Sequence, residues 1–457
     1  MRQVWEERTH GARLPCRKKL VWGTPLDEWR PVLTGEPVPQ RRRPLSPEEQ
    51  RHLRIQTGAW LKSGVVEKVR NLPWVNNTVF VAKQSGAIRV CVDCTPINMV
   101  TASYEWPLPR LQDLRNFVRG ARWFSRMDLK DAFFRIGVPP AWRAPTAFTC
   151  DGVDYQFTRM PFGLKTAPSV FQRWMDHVLA EFREFAFWYI DDVLVWASDR
   201  QTLITRTSAV KEKLLRTGNV INESKSEYEK QELPFAGMLL RPGTLNAQFK
   251  HVENILQLPV PRTKAEKQSA LGLVSYLRDF IPLVSHFTAE LSIADGNTLS
   301  EEEYEKWWGK LRSHVANRTA ALEEWDETAN AELFTDASSK GCSAILLQRG
   351  RIVALASRKL TGAETRYSAT DREHLGLLLA AEKFRMFLHR PKGETQVWSD
   401  HAALLTRRTN QMTPRQTRWS IKVNQWISNL RHVKGKENPA DYFSRWIVAA
   451  PGGIILA

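Results

Sequence analysis

Apolar positions along this chain change period several times, and each change marks an element. At "SPEEQRHLRIQTGAWLKSGVV", Ser46 supplies an N-cap, Pro47 suits the first helical turn, and Glu49 stands three residues after the cap. The spacing predicts a helix. Two β-rich runs around a Gly-containing turn follow in "NTVFVAKQSGAIRVCVD". "FTRMPFGLKTAPSVFQRWMDHVLAEF" passes from a loop into an amphipathic helix. "FAFWYIDDVLVWA" holds two apolar, aromatic-rich runs separated by two residues, the pattern of a hairpin with Asp191 and Asp192 at its tip. Helical periodicity returns near 203–217, over 262–290 and over 301–315.

The pattern then restarts. "AELFTDASSKGCSAILLQRGRIVALASRKL" reads as three strands, "ATDREHLGLLLAAEKFRMFLH" as a long helix and "TQVWSD" as another strand. "PADYFSRW" reads as a closing helix. Strands, helix and strand after a helical spacer predict a separate α/β domain starting near Ala331. No internal repeat is visible.

Charge changes the picture of what this chain meets. The net charge is +17 with an isoelectric point near 9.8, which points to a polyanionic partner, most simply nucleic acid. Hydrophobic residues make up 42%, enough for folded cores rather than a disordered chain. Residues 1–45 are basic and Pro-rich, with "RRRP" at their end, and read as an arm with little structure. Five cysteines imply no disulfide framework and suit a reducing compartment. Cys91 and Cys94 form a C-x-x-C without a second pair, in a segment that reads as a strand. No run of eighteen apolar residues predicts a membrane span, and no apolar signal region opens the chain. The 18 tryptophans suit core and interface packing first, base stacking second.

The candidate chemistry is acidic. Burying an unpaired carboxylate is costly, so Asp191 and Asp192 inside apolar runs form either an acidic surface turn or a turn that holds cations. Two-metal phosphoryl transfer needs a further carboxylate from another strand. "RWFSRMDLKDAFFRI" offers Asp128 and Asp131, and charge alone does not choose between them.

The series "AIRVCVD", "WFSRMDLKDAFFRI", "MPFGLKTAPSVFQR", "FWYIDDVLVWA" and "LPFAGM" resembles, in order and spacing, the reverse transcriptase of gypsy-type long-terminal-repeat retrotransposons. "FTDASSKGCSAIL", "RYSATDREHLGLLLAAEKFR", "VWSDHAAL" and "VKGKENPADYFSRW" resemble the ribonuclease H domain that follows in such polyproteins. The resemblance runs from about Leu45 to about Trp446. It implies an α+β and α/β multidomain fold, a right-hand polymerase of fingers, palm and thumb followed by a connection and a ribonuclease H-like α/β domain. On that reading the segments are the arm (1–45), fingers and palm (46–248), a thumb-like helical region (249–290), a connection (291–330), ribonuclease H (331–447) and a tail (448–457).

Residue by residue, the resemblance makes Asp128 and Asp191 the metal-binding aspartates of a palm, with Asp192 the third acidic member. Phe133 matches the aromatic gate that excludes a ribose 2′-OH. Lys83 and Arg89 match a triphosphate clamp, and Phe162 and Gly163 the loop lining the incoming nucleotide. Ala236 and Gly237 match the turn that holds the primer end, and Lys225 a lysine that protonates pyrophosphate. Asp336, Glu373, Asp400 and Asp441 match the four acids of the ribonuclease H metal site. The chain departs from the family at Cys94 and Thr95, where an arginine is usual, and over "GNVINESKSEYEK", where Asn222 and Lys225 stand but little else.

The resemblance further implies two Mg2+ (or Mn2+) ions per active site. Expected partners are an RNA template, a DNA or RNA primer, dNTPs and the RNA–DNA hybrid, with a homo-oligomer left open and no membrane. The expected location is intracellular, in a cytoplasmic virus-like particle or the nucleus. Two other readings are an RNA-dependent RNA polymerase and a domesticated, non-catalytic nucleic-acid-binding protein. A bulky Phe133 and the appended second domain argue against the first, and the intact acids against the second.

Overall fold

A computed structural model of the chain describes residues 26–440, apart from 39, 71, 73–74, 83–87, 110–113, 282–283, 285–300, 340, 389–393 and 407–411. It divides into two compact units: residues 1–110 with 124–229, and residues 111–123 with 230–457.

In the first unit, helix α1 (Pro47–Lys62) starts as its sequence predicts. The Ser46 side chain accepts from the Glu49 N–H, and the Glu49 carboxylate accepts in return from the Ser46 N–H. Its inner face carries Leu53, Thr57 and Trp60. Trp60 meets Phe148 and Phe157 edge-on, over strands β1 (Val66–Val69), β5 (Phe148–Cys150) and β6 (Val153–Phe157), which form one sheet with β6 central. Strands β2 (Thr78–Ala82) and β3 (Ile88–Val92) make the expected hairpin, followed by the short helix α2 (Thr95–Val100).

The central sheet of this unit runs β10–β4–β8–β7, with β9 also on β4. Strand β4 (Trp123–Lys130) buries Phe124, Ser125, Met127 and Leu129. The hairpin β7 (Ala186–Tyr189) and β8 (Asp192–Ala197) is apolar enough to be buried over most of its length. Helix α3 (Ala167–Val178) and helix α4 (Arg200–Arg216) flank this part of the chain. In α4, Leu203, Val210 and Leu214 are fully buried, each contributing roughly 1.5–3 kcal/mol of transfer free energy. Strands β9 (Val220–Ile221) and β10 (Glu227–Lys230) complete the sheet.

The arm is not structureless throughout. Residues 27–34 form a strap. The Trp29 N–H donates to the Gly137 carbonyl at 2.8 Å, and the Ala102 and Thr34 N–H groups pair with Val32 and Val100 carbonyls at 2.7 Å. Trp29 is 1% exposed. Proline and arginine content hid two buried hydrophobes, Trp29 and Leu33, that are enough to anchor the segment.

In the second unit, a sheet of β11 (Leu233–Phe235), β12 (Met238–Arg241), β13 (Thr244–Ala247) and β14 (Leu322–Glu323) precedes and follows three helices. Helices α5 (Phe249–Gln257), α6 (Lys264–Tyr276) and α7 (Glu301–Arg318) share a core of Ile255, Val274, Trp308, Leu311 and Val315. The helical pattern over 262–290 is thus realised through Tyr276, and residues 282–283 and 285–290 of it lie outside the described ones.

The α/β part of this unit has a five-stranded sheet, ordered β17–β16–β15–β18–β19. Strands β15 (Ala331–Ala337), β16 (Gly341–Gln348) and β17 (Arg351–Lys359) form the expected meander, while β18 (Thr395–Ser399) and β19 (Leu430–His432) join in parallel. Helix α8 (Ala369–Lys383) packs on β15 and β16, with helix α9 (Pro414–Asn424) against it. The closing helix expected at "PADYFSRW" lies almost wholly outside the described residues. The short strands β1, β5, β6, β9 to β14 and β19 carried too little periodicity to be read from sequence.

Candidate active sites

The hairpin tip differs by one residue from its expected register. Tyr189 pairs with Asp192, so Ile190 and Asp191 form the turn and Asp192 is the first residue of β8. A two-residue turn must reverse the chain tightly, and Ile190 does so with φ of 58°, unfavourable for a β-branched residue. Its N–H donates to the side-chain oxygen of Gln172 at 2.9 Å, and Gln172, fully buried on α3, donates to Asp176 at 3.0 Å. Asp176 also accepts from the indoles of Trp188 and Trp106 at 2.7 Å. This network pins the turn, and no local sequence signal announced it.

Beside the turn, Asp128 lies within β4, two residues before its end. The Leu129 N–H donates to the Asp191 carbonyl at 3.0 Å, which ties turn to strand. The segment after β9 brackets Asp128: the Asn222 amide donates to its carboxylate at 3.3 Å, its own N–H donates to the Ser226 hydroxyl at 3.1 Å, and the Lys225 ammonium stands 3.9 Å from the carboxylate. Loss of hydration raises the Asp191 carboxyl above its ordinary value although the turn opens to solvent, and nearby Asp128 adds to the rise. Burial lifts Asp192 to about 6, opposed by Arg126 and reinforced by Asp191 and Asp128. Asp131, the other candidate in this run, caps a short 3-10 turn at φ 49° on the exposed surface.

A second acidic group sits in the α/β sheet. The parallel register aligns Thr335 with Ser399, so Asp336 and Asp400 are adjacent at the ends of β15 and β18. Glu373 reaches them from α8, which approaches β15 closely at Gly376, where an added Cβ would meet the Asp336 carbonyl at 3.4 Å. One carboxylate oxygen from each of Asp336, Glu373 and Asp400 lies within 4.8 Å of the others. Among the described residues this is the one such group of three. Glu373 is pushed up to about 9, first by burial and then by Asp336 and Asp400. Its Oε2 is buried without a hydrogen-bond partner. Crowded hard oxygen donors with one buried, unsatisfied atom fit a divalent cation. Asp128, Asp191 and Asp192 are likewise oxygen donors, but their carboxylates do not converge into such a group of three. Asp441 lies outside the described residues; Asn438, just ahead of it, is fully buried and donates to the Thr335 carbonyl at 3.0 Å.

Two family models match this chain. Residues 81–240 match reverse transcriptase (RNA-dependent DNA polymerase), and residues 326–426 match the RNase H-like domain found in reverse transcriptase. The chain carries a reverse transcriptase domain and a ribonuclease H-like domain.

Its relatives and structural neighbours agree. The Transposon Tf2-3 and Tf2-7 polyproteins of Schizosaccharomyces pombe are each 27% identical over 424 residues, 89% of this chain and 31% of the polyprotein. The chain thus spans about a third of the length of the curated relatives it matches. Solved structures of the foamy viral protease-reverse transcriptase share the fold. One, of that protein with double-stranded DNA, superposes with a TM-score of 0.72 at 21% identity, covering 89% of this chain and 87% of that one. Another, with RNA/DNA hybrid, gives 0.71 at 20% identity over 93% and 58%.

Within the reverse transcriptase domain, several nucleotide-pocket candidates come together. The Arg89 guanidinium lies over the Phe162 ring at 5.4 Å, and Phe133 packs against Phe162 at 5.3 Å and Phe171 at 5.8 Å. Gly163 takes φ of 97° with Val92 and Cys94 close behind it, which explains the glycine. Cys94, standing where the family usually has arginine, is buried beneath this loop and its thiol is pushed up to about 12 by burial. Thr95 donates its N–H at 3.0 Å to Asp93, as at a turn. Lys83 lies outside the described residues. The four described cysteines form no disulfide with one another.

Ala236 and Gly237 form the tip of the β11–β12 hairpin, with φ of 44° and 77°. The Tyr276 hydroxyl donates to the Ala236 carbonyl, and a Cβ at 237 would collide with it. The sequence motif located the turn; Tyr276, which supports it, was missed.

Among the described residues no helix is long and apolar enough to cross a membrane.

Proposed function

We propose that the chain is an RNA-directed DNA polymerase with ribonuclease H activity, from a gypsy-type long-terminal-repeat retrotransposon. The observation that carries this reading is the pairing, in one chain, of two acidic sites, Asp128 beside the Asp191–Asp192 hairpin and Asp336 and Asp400 joined by Glu373 from a helix. The first falls inside the matched reverse transcriptase domain, the second inside the ribonuclease H-like one. The likeness to Tf2 polyproteins supports the retrotransposon origin.

Asp128, Asp191 and Asp192 would hold the polymerase cations; Asp336, Glu373, Asp400 and Asp441 would hold those of the nuclease. Two magnesium or manganese ions per site would activate the attacking oxygen and neutralise charge on the phosphate. The chain's own residues orient the substrate. Arg89 and Lys83 bind triphosphate oxygens, and Phe162 and Gly163 border the nucleotide. Phe133 fills the space of a ribose 2′-OH, and Lys225, close to Asp128, donates a proton to departing pyrophosphate. Ala236 and Gly237 hold the primer end. The substrates are an RNA template, a DNA or RNA primer and dNTPs, then the RNA strand of the hybrid, read by its shape and 2′-hydroxyls. The excess positive charge suits an intracellular protein that grips a duplex, so affinity falls with salt.

Primer extension on an RNA template, dNTPs against rNTPs, with parallel cleavage of a labelled RNA–DNA hybrid, tests this. Both activities with a dNTP preference are expected. Extension with rNTPs would shift the reading to an RNA polymerase, and duplex binding without either activity would shift it to a domesticated binding protein.

A further inference from the structure

The loop carrying Phe162 and Gly163 does not hold itself. Its backbone is pinned by groups from elsewhere in the same unit. The Asn98 side chain, on α2, clamps it twice: the amide donates to the Gly163 carbonyl at 2.7 Å, and the amide oxygen accepts from the Lys165 N–H at 2.8 Å. The Cys94 thiol approaches the Phe162 carbonyl at 3.7 Å. At the far end, the buried Trp29 indole donates to the Thr166 hydroxyl at 3.0 Å. Trp29 belongs to the 27–34 strap, whose next residues pair with Val100, the last residue of the helix that carries Asn98, and with Ala102 just beyond it. Strap, helix and loop therefore form one hydrogen-bonded assembly behind the rings of Phe162 and Phe133. Trp29 lies more than fifty residues ahead of the matched reverse transcriptase segment, which starts at residue 81.

We propose that Trp29 and Asn98 are positioning residues for the nucleotide pocket, so that the arm sets how tightly the incoming dNTP is held. This rests on the polymerase reading above. A loop tied by four hydrogen bonds has one position, although Gly163 and Lys165 themselves face solvent. Loosening one tie lets the Phe162 and Gly163 backbone drift away from the nucleotide while leaving the acids untouched.

Trp29→Phe removes the indole N–H and keeps an aromatic ring in the core; Thr166→Val removes the acceptor at constant shape. dNTP KM and kcat in primer extension, melting temperature and hybrid cleavage are measured for each variant and for the pair. The expected result is a KM raised about fivefold, the scale of one lost hydrogen bond, with kcat within about twofold. Hybrid cleavage should stay at the wild-type value, melting temperature should fall by only about 2–4 °C, and the double variant should be no worse than either single one. Asn98→Ala should raise KM further. An unchanged KM in all three single variants would overturn the inference. So would a joint fall of kcat, hybrid cleavage and melting temperature, which marks a purely structural role. A wild-type protein that extends no primer would overturn the polymerase reading and this inference with it, an outcome distinct from active wild type with unaltered variants.

Discussion

The two acidic sites solve the same electrostatic problem differently. In the reverse transcriptase domain, Asp191 sits on an open turn, and Lys225 and Arg126 stand among the acids as compensating charges. In the ribonuclease H-like domain, Asp336 and Glu373 are buried, the three carboxylates converge within 4.8 Å, and Glu373 is driven to about 9. Asp191 and Asp192 are also raised, but Asp192 only to about 6. In the ribonuclease H-like site, burial and the two neighbouring acids favour the protonated form of Glu373. Solvent and neighbouring cations thus lower the cost of clustering acids in one case, and protonation does so in the other.

If the sites are independent, breaking one should spare the other. Asp191→Asn should lower primer extension by roughly a thousandfold or more, the loss of several kcal/mol of charge stabilisation, and leave hybrid cleavage within about twofold. Asp400→Asn should do the reverse. Joint loss with an intact melting curve would show one shared site and end the comparison.

Phe133→Val sharpens the palm half. The ring is held by Phe162 and Phe171, so its removal leaves a space that nothing else fills. The ratio of dNTP to rNTP kcat/KM should fall by roughly ten- to hundredfold, and an unchanged ratio would take Phe133 out of the gate.

The pH responses should differ in window and sign. Glu373 has a folded-state value near 9 against 4.5 ordinarily. Between those values the folded form holds a proton that the unfolded chain has released, so the stability of the cation-free protein should fall as pH rises through that window. Added magnesium should stabilise more as pH rises, because it replaces that proton. Glu373→Gln should flatten both trends by several degrees in melting temperature, at roughly 2–4 °C per kcal/mol. Burial raises Asp192 to about 6 in the cation-free protein, so the magnesium needed for extension should rise as pH drops through about 6 and be level above 7. Parallel magnesium titrations at several pH values, read by melting and by extension, separate the two sites.

The smallest effect concerns spacing. Gly376→Ala places a methyl 3.4 Å from the Asp336 carbonyl, so α8 must yield by a few tenths of an ångström. Apparent magnesium affinity for hybrid cleavage should weaken about threefold, with extension unaltered. A larger loss with a lowered melting temperature would mean that the helix cannot adjust.

Much of this was legible from residues alone. The Ser46 cap, the β2–β3 hairpin, the β15–β17 meander and the placement of Glu373 on a helix follow from local period and capping. The hairpin register was misread by one because "YIDD" contains no glycine or asparagine to mark the turn. Ile190 occupies a left-handed position only because Gln172, eighteen residues earlier, holds its N–H. The arm was read as unstructured because composition averages over Trp29 and Leu33.

By itself the sequence determined the identity and order of the acids, the alternation of strands and helices, and the basic charge, because these depend on residue type and near-neighbour spacing. Only the tertiary structure decided which carboxylates meet, that burial raises Glu373, and that a strap, a helix and a loop share one set of hydrogen bonds. Those outcomes depend on long-range register, such as Thr335 opposite Ser399, and on local desolvation, and neither is encoded within any one stretch of chain.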